Sequence, residues 1–494
     1  MARPSSSLAF RTLYWIFPFT LVAFSLFTIV VPAARAFYRL NINYNEGWNA
    51  YNAEAAAHHV LLYGTKYDWT TVNYPFGSFY LIGFLSRFGG DPVRIGRFIS
   101  LGSLFVCCVL VGWIVRRLTG HWGSAVFAGA FCLALFGTIG SYYVGMNDPQ
   151  MLAHPLFLAG LLLYLGGANS TAAIGGIVGL FVLGGNIKHI LLPSPLAVFF
   201  DLCSVSKRKA TQFLLFAATF LGASVAVNMR VGGPFFISKL MTPRTFSMAK
   251  VLHKAMSSGF STLQIPLAIA ILWSIWHLRN PRFRVISLYF LVSLVLGLAF
   301  TSGEGVSVNA YFDIFLAMSI VMGLCVDSAR HGKTSLVSDT SPWRLAPPAL
   351  ICLGLLLTFA VAPIRIRTRL RQLPVEQQEF DAEVAFIASR PGPVLCESIL
   401  ACFYAGKPFV YDSFNAGCLM KFDKLDSRAV VEEIADRRFG AIQIDAPLAD
   451  MYSDPEPGFS SDILDAINRY YVIGREAWSI IYVPRPDGAL ASGQ

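Results

Sequence analysis

Long apolar stretches alternate with short polar connections from residue 13 to residue 363. A run of about 20 apolar residues crosses a bilayer as an α-helix, and such runs are the main sequence signal for one. Runs that fit this pattern lie at 13–33, 97–115, 122–142, 150–167, 171–186, 189–203, 210–228, 260–277, 284–300, 309–326 and 346–363. The pattern predicts a mainly α polytopic membrane protein with about eleven transmembrane helices.

The segment 74–88 is apolar too, but its length of about 15 residues and its Pro75 favour an interfacial or re-entrant helix. The placement of Lys and Arg supports this, because cytoplasmic loops are enriched in both. With a cytoplasmic N-terminus and 74–88 not spanning, thirteen Lys and Arg fall in inner segments. The short outer loops then hold only Lys188. An odd number of spans places the C-terminus in the periplasm.

Charged residues become frequent after residue 363, and strand-like segments begin to alternate with helical ones. We predict strands at 393–397, 440–446, 470–474 and 479–484, and helices near 427–438 and 461–468. This alternation predicts a small C-terminal α/β domain on the extracytoplasmic side. The chain is thus divided into a transmembrane domain, 1–363, with outer loops 34–96 and 229–259, and a soluble periplasmic domain, 364–494. We interpret the second domain as a packing or recognition domain without chemistry of its own.

The composition agrees with a lipid environment, since 55% of the 494 residues are hydrophobic and 14% are charged. Soluble domains carry about 25% charged residues. The net charge of +10 is expected from the inner loops of a membrane protein, and we predict no nucleic-acid partner. Of the nine cysteines, Cys396, Cys402 and Cys418 fall in the tail, so at most one pair forms a disulfide there. No Cys or His spacing predicts a metal site.

The first outer loop carries acidic residues close to the membrane. Glu46, Ala50, Glu54 and His58 recur every four residues, so they share one face of a predicted helix that Gly64 ends. Glu46 is a candidate general base. A solvated loop carboxylate is the simpler interpretation of this residue taken alone.

Asp148 lies between Asn147 and Pro149 at the start of the fourth predicted span. An Asp before Pro commonly caps a helix, and capping explains Asp148 by itself. It does not explain a second carboxylate on the same side of the membrane as Glu46. Ionisable groups at that depth are costly and tend to be functional.

Further polar residues mark the later outer connections. Lys188 and His189 occupy a tight connection between two apolar runs, where the lysine serves either as an interface anchor or as a phosphate ligand. In the last short outer loop, Glu304 faces outward, and Asn309 precedes Asp313 by one turn. A hydrogen-bonded structural pair is the simplest interpretation of Asn309 and Asp313.

Four motifs follow one another in a definite order. They are NEGWNAYNAEAA in the first outer loop, NYPFGSFYLIG in the interfacial segment, NDPQ before the fourth span, and Lys188 before a proline-containing apolar run. In this order, over residues 10–330, the chain resembles the GT-C glycosyltransferases of family 39 and its relatives. These include the protein O-mannosyltransferases and the transferases that add aminoarabinose to lipid A. Asn45 stands where many members have an acidic residue, and Tyr74 where many have lysine before proline.

The resemblance implies an inverting glycosyltransferase of a bacterial inner membrane, acting at the outer face. The donor is a polyprenyl-phosphate sugar, the acceptor is a hydroxyl of a lipid or glycan, and an outer-loop carboxylate takes the hydroxyl proton. No cofactor is predicted, and a divalent metal ion stays an open alternative because the family contains both kinds of enzyme. The predicted residues are Glu46 and Asp148 for catalysis, Lys188, His189, Arg97 and Arg244 for the donor phosphate, and Asn45, Trp48, Tyr74, Asn147, Glu304 and Asn309 for substrate binding.

Two other hypotheses stay open. A transporter or flippase of a lipid-linked sugar predicts inverted repeats and charges near the mid-membrane. Here the charges gather at the outer edge, and the sequence shows no convincing repeat. A scaffold that has lost catalysis would explain Asn45, but Glu46 and Asp148 are retained.

Overall fold

The computed structural model describes residues 5–168, 170–255, 263–331, 349–352, 362–452 and 458–486. Its membrane part contains, in chain order, α1 (Ser5–Arg35), α2 (Tyr44–Ala57), α3 (Gly77–Ser86), α4 (Pro92–Thr119), α5 (Trp122–Thr138), α6 (Pro149–Leu165), α7 (Thr171–Gly185), α8 (Pro193–Val205), α9 (Lys207–Gly232), α10 (Phe236–Leu240), α11 (Met248–Ala255), α12 (Gln264–His277), α13 (Arg284–Thr301), the 3-10 helix Val308–Tyr311 and α14 (Phe312–His331).

Ten of the eleven predicted spans coincide with these helices, and the eleventh, 346–363, lies mostly outside the described residues. Among the described residues, five helical stretches are long and apolar enough to cross a membrane: Trp15–Arg35, Pro92–Thr119, Lys207–Gly232, Arg284–Thr301 and Val308–Ala329. Helices α5 to α8 and α12 are apolar but shorter. A mainly helical membrane part is therefore confirmed, while the number of eleven spans stays a prediction.

Helices of the bundle approach one another closely where one of them carries glycine. A Cβ atom on Gly129 of α5 would lie 2.8 Å from the carbonyl oxygen of Cys108 in α4. One on Gly112 of α4 would lie 3.0 Å from the carbonyl oxygen of Ala125 in α5. Small residues at helix contacts are typical of membrane bundles, since lipid offers no hydrophobic drive for association and close packing must supply the attraction.

The predicted outer segments meet at one end of the bundle and the predicted inner segments at the other. Contacts at the outer end are Tyr63 N–H to Gly232 O (2.7 Å), Gly77 N–H to Asn186 O (3.0 Å) and Lys239 Nζ to Asp68 Oδ2 (2.8 Å). Contacts at the inner end are Arg117 Nε to Leu165 O (3.4 Å) and Arg284 Nε to Asp201 Oδ1 (2.6 Å). The connections thus alternate between the two ends in the predicted order.

The first outer loop forms two helices. Helix α2 ends at Ala57, and His59 beyond it has a φ of 59°, so the prediction that Gly64 ends this helix was wrong. The residues predicted to share one face of α2 do not share one environment, because Glu46 is buried and Glu54 is exposed. The ten residues of α3 extend about 15 Å, half of the roughly 30 Å hydrocarbon core, as expected for a segment that does not span.

The tail contains α15 (Ala362–Ala388), β1 (Val394–Cys396), α16 (Ile399–Tyr404), α17 (Ser413–Lys421), α18 (Arg428–Ala435), β2 (Ala441–Ile444), α19 (Leu448–Met451), α20 (Ser461–Tyr470), β3 (Tyr471–Glu476) and β4 (Ile480–Pro484). The sheet order is β1-β2-β4-β3, with β1 and β2 parallel and the other pairs antiparallel. All four predicted strands and both predicted helices occur, while the long helix α15 and the short helices α16, α17 and α19 were missed. The domain division at residue 363 stays a prediction.

Helix α2 and the tail are packed backbone to backbone. Cys396 and Cys402 form the one disulfide among the described residues and close the turn that contains α16, while Cys418 is a buried free thiol. This turn lies against Gly47, where a Cβ atom would come within 2.3 Å of the backbone nitrogen of Leu400. The residue that follows Glu46 must therefore be glycine for the tail to sit where it does.

Gly47→Ala is expected to destabilise the protein by about 1–3 kcal/mol, because the new methyl group would push against backbone atoms that a side-chain rotation cannot move. The thermal unfolding midpoint in detergent measures the effect. Gly102→Ala in α4 is the matched control, since a Cβ atom there has nothing within 4 Å and alanine favours a helix. Equal midpoints for the two variants would contradict the close contact.

Candidate active site

Glu46 forms a buried ion pair with Arg97. Its Oε1 accepts from Arg97 Nε at 2.8 Å and from the backbone N–H of Asn147 at 2.9 Å. Its Oε2 accepts from Arg97 Nη2 at 2.6 Å and from the backbone N–H of Ile42 at 3.3 Å. Four donors fill the acceptor positions of one carboxylate. These contacts favour a positioning role for Glu46 over that of a free base.

Arg97 is equally engaged. Besides Glu46, it donates through Nη1 to Tyr38 O at 2.6 Å and through Nη2 to Leu40 O at 2.7 Å. The side chain is 1% exposed. Arg97 therefore ties the end of α1 and the start of α2 to α4, and these contacts do not favour its predicted role as a phosphate ligand.

Asp148 is connected to this pair through its neighbour. Asn147 donates its backbone N–H to Glu46, and its backbone oxygen accepts from Asn49 Nδ2 at 2.8 Å. Asp148 caps α6, because its Oδ1 accepts from Gln150 N–H at 2.8 Å. Its Oδ2 is buried and has no hydrogen-bond partner among the described residues. Capping thus occupies one oxygen and leaves the other available.

Lys188 is a buried cation without an anion. It is 2% exposed, and its Nζ lies 3.5 Å from the centroid of the Tyr74 ring. Its ammonium group makes no hydrogen bond or ion pair to any residue that the structure describes. An ammonium group that has lost its water gains about 2 kcal/mol or more from such a ring, which is far less than the cost of burying the charge. Lys188 is therefore poised to receive an anion.

Tyrosines bridge the distance between Asp148 and Lys188. Burial, and then the charge of Asp148, raises the pKa of Tyr143, whose phenol also interacts with that of Tyr74. Tyr74 in turn lies beneath Lys188. Asp148 and Lys188 thus each interact with one member of the tyrosine pair Tyr143 and Tyr74, which links a carboxylate and a cation through two rings.

Two more predicted residues, His189 and Arg244, lie in this region. Burial, with the positive charges of Lys188 and Arg244 next, lowers the pKa of His189 to about 4. His189 is therefore neutral at physiological pH and can donate a hydrogen bond without adding charge. Arg244 lies 5.2 Å from the centroid of the Phe414 ring and donates to Glu304 O at 3.1 Å.

Glu304 and Asn309 have structural partners. Glu304 Oε1 accepts from Lys421 Nζ at 2.5 Å, so this carboxylate joins the last outer loop to α17 of the tail. Burial raises the pKa of Glu304, but hydrogen bonds from Lys421 and Thr245 outweigh burial and lower it overall. Asn309 Nδ2 donates to Gln150 Oε1 at 3.1 Å.

Asp313 instead accepts from Tyr289 Oη at 2.9 Å. The interpretation of Asn309 and Asp313 as a hydrogen-bonded pair was therefore wrong, because Asn309 bonds to α6 and Asp313 to α13.

The remaining predicted residues fall into two environments. Trp48 is 2% exposed and packs edge-on against the rings of Tyr74 (5.2 Å) and Phe79 (5.5 Å), so it supports the site from behind. Asn45 is half-buried, and its side-chain amide makes no hydrogen bond to a described residue. Of this group, Asn45 is the side chain free to bind a substrate.

The tail contributes residues that the sequence did not single out. Tyr44 lies against Phe414, with 6.0 Å between the ring centroids. Burial is the main cause that raises the pKa of the Tyr44 phenol, and the charge of the buried Asp412 carboxyl is the second. Burial raises the pKa of Asp412 to about 6. No local signal marks Asp412 or Phe414, because both reach the site only through the packing of α17.

No group of three or more His, Cys, Asp or Glu side chains able to hold a metal ion occurs in the part of the chain that the structure describes. The absence of a cofactor stays a prediction, with a divalent metal ion as its alternative.

The sequence matches no protein-family model and no curated protein. Solved structures do match. ArnT from Cupriavidus metallidurans bound to undecaprenyl phosphate aligns with a TM-score of 0.58 at 15% identity, covering 96% of this chain and 99% of that one. The apo form gives the same TM-score and identity over 93% and 97% of the two chains.

The apo oligosaccharyltransferase of Archaeoglobus fulgidus aligns with a TM-score of 0.53 at 12% identity, covering 96% of this chain and 75% of that one. ArnT, a lipid A aminoarabinose transferase, and this oligosaccharyltransferase are both GT-C glycosyltransferases. The expected resemblance is thus confirmed for the fold: the chain shares the fold of these structures along nearly its whole length.

Proposed function

We propose that this protein is a glycosyltransferase that moves a sugar from a polyprenyl-phosphate donor to an acceptor hydroxyl at the outer face of a membrane. The observation that carries the proposal is Lys188, a buried ammonium group without an anion, which lies on the ring of Tyr74. Tyr74 in turn interacts with Tyr143, the tyrosine that feels the charge of Asp148. The GT-C fold and the undecaprenyl phosphate named with the ArnT structure support a lipid phosphate as that anion. A buried unpaired charge is costly and is typically retained for binding.

In the proposed reaction, Asp148 Oδ2 accepts the proton of the acceptor hydroxyl. The hydroxyl oxygen attacks the anomeric carbon from the face opposite the phosphate, and the carbon–oxygen bond to the phosphate breaks with inversion. The phosphate leaves with the electron pair. Lys188 and Arg244 offset its growing negative charge, and neutral His189 donates a hydrogen bond to it. Glu46 and Arg97 position Asn147, and through it Asp148.

We place this reaction on the periplasmic side of a bacterial inner membrane, with the N-terminus in the cytoplasm and the tail in the periplasm. The segments rich in Lys and Arg lie at the opposite end of the bundle, as cytoplasmic loops would. The Cys396–Cys402 disulfide also supports this orientation, because disulfides persist in the oxidising periplasm and are rare in the cytosol.

Lys188→Ala tests the proposal. We expect undecaprenyl phosphate to bind at least roughly tenfold more weakly, because a charged hydrogen bond to the phosphate is lost. Native mass spectrometry of the protein in detergent measures this binding. Lys66→Ala is the matched control, since Lys66 also lies over a tyrosine ring in the same outer loop as Tyr74 but is exposed.

Unchanged binding in Lys188→Ala, or equal losses in both variants, would remove the support for a phosphate site at Lys188. Binding that depends on Lys188 without any sugar transfer by the wild-type protein would instead favour the transporter hypothesis.

A further inference from the structure

A second cavity opens at the outer end of the molecule, beside the candidate active site. Its volume is about 790 Å³, within the range of about 300–1,000 Å³ that small-molecule sites occupy. Its walls come from α2, from the segment that follows α2, from Lys239 in α10 and from residues 403–409 of the tail. Three distant parts of the chain thus build one cavity with apolar and polar walls.

One wall is a rigid aromatic cluster. The rings of Tyr51 and Phe409 are stacked, with centroids 4.9 Å apart, and Phe403 packs edge-on against Tyr51 at 5.0 Å. The hydroxyl of Tyr51 donates to Lys407 O at 2.6 Å, which joins α2 to the tail. Rigid aromatic rings offer apolar surface at a low cost in conformational entropy.

Free hydrogen-bond acceptors line the same cavity. Asn52 is 4% exposed, and its Nδ2 donates to Trp48 O at 2.9 Å, but its Oδ1 has no partner among the described residues. The carboxylate of Glu54 likewise accepts no hydrogen bond from a described residue. Burial is the main cause that raises the pKa of Tyr51, and the charge of Glu54 is the second. A ligand here must therefore supply donors.

The charges of the cavity disfavour an anion. Lys239 is neutralised by Asp68 at 2.8 Å. Lys407 Nζ donates to the backbone oxygens of Arg390 at 2.5 Å and Gly392 at 3.3 Å. Lys407 and Glu54 have no ion-pair partner among the described residues, and their opposite charges offset each other, so the lining has no net charge to attract an anion. Hydroxyl groups beside an apolar surface satisfy free acceptors and aromatic rings at once, and this combination is typical of a sugar.

We propose that this cavity binds the carbohydrate part of the acceptor. The inference rests on the proposed function, and it assigns to the acceptor an uncharged, hydroxyl-rich ring held by Asn52, Glu54 and the aromatic cluster. The position fits, because Asn52 lies one turn of α2 beyond Trp48, whose ring packs against Tyr74 under Lys188.

Saturation-transfer NMR tests the proposal on the full-length protein in sugar-free lipid nanodiscs, with a panel of uncharged methyl hexosides and pentosides as probes. We expect transfer to at least one methyl glycoside in the wild type, weakened about tenfold in Glu54→Gln and in Asn52→Leu. Glu54 is exposed, so its variant folds even if Asn52→Leu does not. Glu476→Gln, an exposed carboxylate of β3, is the control.

No transfer to any glycoside, or equal transfer in the wild type and in Glu54→Gln, overturns the carbohydrate site. The binding of undecaprenyl phosphate to the same samples separates this result from the proposed function. Phosphate binding that depends on Lys188 and survives in Glu54→Gln leaves the donor site standing alone. Glycoside binding that depends on Glu54 without phosphate binding supports the carbohydrate site and removes the donor site.

Discussion

Asp148→Asn is expected to lower sugar transfer by about 10²–10⁴-fold while the binding of undecaprenyl phosphate stays unchanged. An amide cannot accept the proton of the acceptor hydroxyl, and a positioned general base contributes about this factor. The fold should survive, because Asn caps a helix as well as Asp does. Transfer is measured with a panel of radiolabelled polyprenyl-phosphate sugars, and binding by native mass spectrometry.

The chain offers a closely matched control at Asp91. It also precedes a proline, caps α4 and accepts from the second N–H of its helix, Val93, at 3.0 Å. Asp91→Asn removes the same charge at the same kind of cap, yet Asp91 Oδ2 already accepts from Tyr404 at 2.7 Å. We expect its turnover to be near that of the wild type. Equal losses in the two variants would reduce Asp148 to a cap, and full turnover in Asp148→Asn would place the base elsewhere.

The membrane helices could be predicted because their signal is local. A bilayer demands long apolar runs with internally satisfied backbone groups, so the run itself indicates the helix. The same holds for the strands of the tail, such as Ala441–Ile444, where four consecutive residues are buried. The end of α2 is different. The helix ends where His59 adopts a left-handed backbone conformation, and a histidine at this position does not indicate that conformation in the sequence.

The individual polar residues of the site could be predicted, but their partners could not. Glu46 and Arg97 are 51 positions apart and bond only because α2 and α4 cross there. Lys188 could be identified from its sequence context because a lysine in a short connection between apolar runs is rare. The sequence does not indicate that Lys188 lacks an anion, nor that Glu304 is paired with Lys421. Both facts follow only from how the tail and the outer loops pack.

The hydrogen-bond partners decide which carboxylate we propose as the general base. From sequence, Glu46 and Asp148 are equivalent, since each is an acidic residue at the outer edge of the membrane. In the structure, the four donors around Glu46 hold it in place, whereas Asp148 keeps one oxygen without a donor among the described residues. A base must exchange its partner during the reaction, and a carboxylate whose positions are all filled cannot do so without breaking a buried ion pair.

Glu46→Gln is therefore expected to act mainly on stability. It leaves Arg97 buried and unpaired, and removal of one partner from such a pair costs about 3–5 kcal/mol. The free energy of unfolding in mixed micelles, followed by tryptophan fluorescence, measures the loss. Asp426→Asn breaks the exposed pair with Arg428 and should cause no measurable change. The double variant Glu46→Leu, Arg97→Leu should recover part of the loss, because it leaves no unpaired charge.

Turnover per folded molecule decides between the two roles of Glu46. If Glu46 positions Asn147 and Asp148, Glu46→Gln should keep part of its activity, because the amide oxygen of Gln can still accept the N–H of Asn147. If Glu46 is itself the base, stability will change little and turnover will fall as far as in Asp148→Asn. A stable but inactive Glu46→Gln would thus reverse the assignment, and the Arg97 contacts would then have to open during the reaction.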